Sequence, residues 1–178
     1  MENNPPKRIT PDDIFTFVIE HEGAYFNDPI AGPTKYGITK KSFPDIDVEN
    51  LTKEEALDIY RYLYYEWEVD ELIFPYIQAN YFDFAFHSGK YRATKYLQKT
   101  WNHYFPQWEL KEDGILGPIT KSYISNVDLV GNVIYFGDSY LFYRQSYMIS
   151  LAKDKKYRIF LKGWLKRTID LAKMFERI

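Results

Sequence analysis

The sequence predicts a mainly α fold with one small β element, and three observations carry that prediction. Apolar residues recur at helical spacing over most of the chain, helix-starting and helix-stopping residues bracket those runs, and residues 25–38 change character, with turn formers flanked by short runs. With 178 residues and 46% apolar content the chain is large enough to bury a core without staples. One compact unit is the simplest count, with room for an appended subdomain. Zero cysteine excludes a disulfide framework, a thiolate nucleophile and a cysteine-ligated metal.

Thr10-Pro11-Asp12-Asp13 reads as a helix start, with Thr10 as N-cap and Pro11 in the first helical position. Ile14, Phe17, Val18 and His21 follow at helical spacing, and Gly23 is expected to end the helix in a left-handed C-terminal position. Asn27-Asp28-Pro29 and Gly32-Pro33 then mark a β-hairpin or irregular lobe that closes on Tyr36-Gly37-Ile38. Thr52 and Glu55 form a capping box for a helix reaching about Trp67. A further helix runs from Pro75 to Ser88 and stops at Gly89, and another covers Tyr91 to Trp101. Asp113-Gly114 and Gly117-Pro118 predict a tight turn before a short helix at 119–124. Helical patterning returns over 132–152 and 157–175, with a polar break at 153–156. The sum is five to seven helices and one β lobe.

Net charge is −2, so long-range attraction to nucleic acid or an anionic membrane is weak. No apolar segment approaches the roughly 20 residues a membrane span needs, and residues 1–10 lack the basic and apolar regions of a secretory signal. The expected location is therefore synthesis in the cytoplasm. The three histidines have no metal-ligand spacing and no phosphate-binding loop is present, so neither metal nor cofactor is expected. Aromatic content is 19%, with 17 tyrosines; these serve core packing, and they also suit stacking on sugars. Tyr91, Arg92, Lys95, Tyr96, Lys99 and Trp101 mix bases with aromatics, a pattern shared by single-strand nucleic-acid binders and by an ordinary solvated helix face.

Glycosidic hydrolysis needs a carboxylic acid held protonated near neutral pH and usually a second carboxylate. Glu22 sits where the negative end of a helix dipole and the apolar cover of Tyr25 and Phe26 both favour the protonated form. Read alone, the same position also suits a solvated helix-end acid. Asp28 is open in the same way, since Asn-Asp-Pro is a common turn whose aspartate binds backbone N–H groups.

Beyond these residues, His21-Glu22-Gly23-Ala24-Tyr25-Phe26-Asn27-Asp28-Pro29 followed by Thr34-Lys35-Tyr36-Gly37-Ile38-Thr39 resembles the signature of glycoside hydrolase family 108, a family of bacterial and phage muramidases, some described as secretion activators. Asp83-Phe84-Ala85-Phe86-His87-Ser88-Gly89, Leu97-Gln98 and Asp113-Gly114-Ile115-Leu116-Gly117-Pro118-Ile119-Thr120 resemble the predicted peptidoglycan-binding module that follows it. Phe142-Tyr143-Arg144 and the segment 160–167 continue that pattern. The resemblance implies a lysozyme-like fold, with a catalytic segment over 1–75 and a helical binding module over 76–178. It implies an N-acetylmuramidase, of the endolysin or prophage type, acting on the cell wall after release or export. Glu22 carries over as general acid, Asp28 as second carboxylate and Thr34 as a water-orienting hydroxyl, with Tyr25, Tyr36, Asp83 and His87 as substrate-binding residues. The implied partner is the glycan strand of peptidoglycan, engaged by a monomer, with no nucleic acid and no membrane insertion.

Three departures stand out: Ala24 replaces a glycine, the loop after Asp28 is shortened, and His87 replaces an asparagine. The shortened loop keeps a second reading in play, a non-catalytic glycan-binding or assembly protein with the same fold. Asp83 and His87, four residues apart, are positioned to pair along one helix face.

Overall fold

The computed structural model describes residues 9–23, 25–28, 32–126 and 133–175, with the backbone alone for Phe26 and Asp28. The chain divides into two compact units, residues 1–61 and 62–178. This division falls inside a helix, ahead of the 75/76 boundary expected from the motif blocks.

In the first unit, helix α1 spans Pro11–His21. Thr10 Oγ1 accepts from the Asp13 amide at 3.3 Å while Asp13 Oδ2 accepts from the Thr10 amide at 2.9 Å, so the end is sealed reciprocally. Ile14, Phe15, Phe17, Val18 and Ile19 are buried along it, against a core that also contains Ile38, Val48, Leu51, Ala56 and Tyr60. The expected hairpin is a three-stranded antiparallel sheet, β1 (Phe26–Asp28), β2 (Gly32–Lys35) and β3 (Ile38–Thr39), in the order β1-β2-β3. β1 and β2 pair with Phe26 opposite Thr34 and Asp28 opposite Gly32. Tyr36 and Gly37, at φ of 51° and 68°, form a two-residue turn of the left-handed kind that joins twisted strands tightly. The sequence reading missed β3 because the first of these positions usually holds Asn, Asp or Gly.

Helix α2 (Lys53–Glu66) begins with the expected capping box, the Thr52 amide donating to Glu55 Oε2 at 2.8 Å and the Glu55 amide to Thr52 Oγ1 at 3.2 Å. The second unit is helical, built of α3 (Pro75–Ser88), α4 (Lys90–Tyr104), α5 (Pro118–Ser125), α6 (Val133–Leu151), α7 (Lys155–Arg158) and α8 (Leu161–Met174). Short 3₁₀ turns lie at Val69–Leu72 and Pro106–Trp108. α3 forms contacts with both α4 and α6, and most of its residues, including all of Ala79–Ala85, are buried. Gly89, at φ 90°, separates α3 from α4 without an intervening loop. The expected helix over 157–175 is two pieces. Asp154 accepts from the Lys156 amide at 3.1 Å, so the polar stretch starts a helical turn instead of merely interrupting one. No helix among the described residues is long and apolar enough to cross a membrane.

Candidate active site

Glu22 stands at the C-cap of α1, where the backbone turns from helical to extended, with φ −88° and ψ 129°. Its amide still donates to the Val18 carbonyl at 3.1 Å, and its side chain is half-buried. Gly23 does not take the left-handed conformation expected of it. The helix stops at the expected place, but by Glu22, its C-cap, turning extended, which puts this acid in the joint between helix and sheet. Beside it, His21 Nδ1 lies 2.9 Å from the Phe17 carbonyl, so that nitrogen carries the proton, and the ring packs on Phe17 at 4.3 Å.

Thr34, in the middle strand, is only 6% exposed, and its hydroxyl donates to the Gly32 carbonyl at 3.0 Å. Its lone pairs remain available as acceptors. By register, positions 26 and 28 of β1 and 32 and 34 of β2 share one face of the hairpin. The Asp28 side chain lies outside the described residues, as do Ala24 and the shortened loop at 29–31.

Tyr25 is 42% exposed, and its hydroxyl donates to Glu49 Oε1 at 3.1 Å. Partial burial, followed by this bond and the charge of Glu49, raises the phenol above its ordinary pKa. Lys35 Nζ donates to the Glu49 carbonyl at 3.1 Å, so Glu49 ties the entry to β1 and the end of β2 to one point. Sequence reasoning missed Glu49 because the contact spans 24 residues and no local pattern marks it. Tyr36 holds a left-handed backbone that costs a non-glycine residue about 1–2 kcal/mol. The buried Tyr60 hydroxyl donates to its carbonyl at 2.6 Å and offsets part of that cost. A cavity of about 460 Å³ in the same unit lies along Asp45, Asp47, Glu55 and Asp58, but the last three of these acids are engaged locally. Asp47 accepts from Asn50, Glu55 from Thr52 and Asp58 from Arg61.

Asp83 corrects the sequence reading. It is wholly buried in α3 between two guanidiniums, with Arg144 Nη2 at 2.6 Å from Oδ2 and Arg167 Nε and Nη2 at 2.8 and 2.6 Å from Oδ1. No sugar can reach it, and it does not pair with His87 as expected. Burial pushes its pKa up, but the two arginines outweigh that and hold it well below the usual carboxylate range. Arg144, also fully buried, lies over the Phe84 ring at 5.4 Å. His87 instead has Nδ1 at 2.9 Å from Ser88 Oγ and meets the Trp164 ring edge-on at 5.4 Å. Burial first, then Arg144 and Arg167, lower its pKa to about 4. The glutamine of the Leu97-Gln98 pair organises the Asp113–Ile115 turn. Its Oε1 accepts from the Gly114 amide at 2.9 Å, and its Nε2 donates to Asp113 Oδ1 at 3.0 Å and the Ile115 carbonyl at 3.2 Å. Among the described residues no group of acids and histidines is arranged to hold a metal ion.

The fold is mainly α and lysozyme-like, with a small β lobe. It is similar to the solved structure of Brucella abortus SagA, at 25% identity and a TM-score of 0.70 over 92% of each chain. No curated protein sequence matches the chain. Residues 15–89, the stretch that includes Glu22, Asp28, Thr34 and Asp83, match the model of the glycosyl hydrolase 108 family.

Proposed function

We propose that the protein is an N-acetylmuramidase that hydrolyses the β-1,4 bond between N-acetylmuramic acid and N-acetylglucosamine in peptidoglycan. The observation that carries this reading is the position of Glu22. It is a half-buried acid at the point where α1 gives way to the sheet bearing Asp28 and Thr34, inside the segment that matches a glycosyl hydrolase family.

Glu22 protonates the leaving glycosidic oxygen as the bond to the muramyl anomeric carbon breaks. Asp28 takes a proton from the attacking water, and Thr34 accepts the water's other hydrogen, since its own is given to Gly32. Tyr25 and Tyr36 contribute sugar-facing surface at the two ends of the sheet. The chemistry uses no metal or organic cofactor. The site of action is the cell wall, reached by export or by release from the cell in which the chain is made, and the helical unit binds the same polymer.

The test is release of reducing ends from purified peptidoglycan by the wild type and by Glu22→Gln. Loss of a general acid is expected to slow the reaction about 10²–10⁴-fold, with binding and melting temperature retained. Binding by both proteins without reducing-end release would establish instead the non-catalytic glycan-binding protein.

A further inference from the structure

Helix α4 carries Arg92, Lys95 and Lys99 at i, i+3 and i+7, which places three cations on one face over about 10 Å of helix axis. They line a cavity of about 270 Å³ together with Tyr91, Tyr96 and Tyr147. None of the three forms an ion pair among the described residues, whereas Lys121 in the same unit is held by Glu68 and Glu71 at 3.1 and 2.8 Å. Each faces an aromatic ring instead. Arg92 lies 5.8 Å from the Tyr147 centroid, Lys95 5.9 Å from Tyr91, and Lys99 5.8 and 5.3 Å from Tyr96 and Tyr143. One acid, the exposed Glu112, borders the cavity, and its carboxylate accepts from Asn102 at 3.3 Å.

The walls are built and not incidental. Tyr91 sits so close over Gly114 that a methyl group there would overlap the ring, and Gly114 at φ 71° is fixed by the bond from its amide to Gln98. The Asp113–Gly114 turn thus holds one aromatic wall in place. Tyr96 and Tyr147 form the other wall, their centroids 5.5 Å apart.

We propose that this groove binds the carboxylates of the peptide branches of peptidoglycan, with the tyrosine faces covering the adjoining sugar and aliphatic surface. Apart from Arg92 Nη1, which donates to the Ser88 carbonyl at 3.0 Å, these cations without a carboxylate partner keep N–H donors that the carboxylates of a short peptide accept. A polynucleotide is the less fitting occupant. Three cations give only a shallow electrostatic grip, and a chain of net charge −2 offers no wider basic field to extend it. The proposal rests on peptidoglycan being the substrate but not on catalysis by Glu22.

The experiment measures binding of the full chain, as Glu22→Gln so that nothing is cleaved, to a disaccharide–tetrapeptide muropeptide and to the same disaccharide without peptide. The peptide-bearing ligand is expected to bind about tenfold or more tightly, with affinity falling as salt rises. Arg92→Gln/Lys95→Gln/Lys99→Gln is expected to erase that difference while leaving affinity for the bare disaccharide and the melting temperature unchanged. If the triple variant is unstable, the single exposed changes Arg92→Gln and Lys99→Gln each carry the same expectation at about threefold. Equal binding of both ligands by the parent protein, or an undiminished preference in the variants, overturns the proposal. Tighter binding of a single-stranded oligonucleotide than of muropeptide overturns it in favour of the nucleic-acid reading. Absence of reducing-end release by the wild type, with cation-dependent muropeptide binding intact, overturns the muramidase reading and leaves the groove standing.

Discussion

The two units treat their most conspicuous acids in opposite ways. In residues 1–61, Glu22 sits half-buried at a helix end where the backbone changes direction. Thr34, its neighbour in the sequence motif, is engaged through a neutral hydroxyl to a main-chain carbonyl. In residues 62–178, Asp83 is sealed in the middle of a buried helix, and both its oxygens are taken by arginines from α6 and α8. Both acids stand in motif blocks, and from sequence both looked like parts of a substrate site. What separates them is how far each is sealed from solvent. Asp83, wholly buried in a clamp of two guanidiniums, is held ionised and out of a ligand's reach, whereas Glu22 is part-exposed where the backbone turns.

The sharpest way to break this contrast is to remove the acid from the clamp. Asp83→Ala leaves two buried guanidiniums without their shared carboxylate, and the expected loss is about 3–5 kcal/mol of unfolding free energy, read by denaturant titration. Replacing Asp83, Arg144 and Arg167 together with apolar residues of similar volume is expected to recover much of that loss, because the penalty comes from stranded charge. If Asp83→Ala left stability intact while weakening glycan binding, the assignment of Asp83 to structure would be wrong.

A second, smaller effect within the second unit is read by pH. His87 has a folded pKa of about 4 against an ordinary value near 6.5, so the unfolded chain takes up a proton there before the folded one does. Stability is therefore full above pH 6.5, declines as pH falls from 6.5 to 4 by up to about 3 kcal/mol, and levels off below. The Asp83 contribution, from a pKa depressed in the fold, is present above the unfolded carboxylate range and lost only as pH falls below it, so the two windows do not overlap. His87→Gln is expected to flatten the melting-temperature profile between pH 6.5 and 4 and leave the acid limb in place. An unchanged slope in that variant would show that another group sets it.

What was legible in the sequence was what is decided within a few residues. Thr10 with Asp13 and Thr52 with Glu55 announce their capping boxes because donor and acceptor are three positions apart. Pro75 and Gly89 delimit α3 through backbone constraints that need no partner. Most of the failures are matters of distance. The partners of Asp83 lie 61 and 84 residues further along the chain, and Glu49 meets Tyr25 across 24. Tyr36 takes a left-handed turn that its side chain disfavours, stabilised by a hydroxyl from Tyr60, also 24 residues away. The Glu22 motif was readable, but the backbone change at Glu22 itself was not, because Gly23 offered a more familiar stop.

The smallest effect bears most finely on the contrast, since it asks whether a polar group in the first unit supports structure or chemistry. Thr34 is nearly buried, and its bond to Gly32 is of the kind that contributes about 1 kcal/mol. Thr34→Val keeps the branched shape and removes the hydroxyl, leaving the Gly32 carbonyl without that donor. Thr34→Ser keeps the hydroxyl and removes a methyl. If Thr34 only braces the hairpin, both variants lose stability by about that amount and retain kcat. If it also accepts a hydrogen from the attacking water, Thr34→Val loses kcat about tenfold or more beyond its loss of stability, while Thr34→Ser retains it. The two outcomes differ in rate and not in melting temperature, so hydrolysis of purified peptidoglycan measured well below the unfolding transition decides between them.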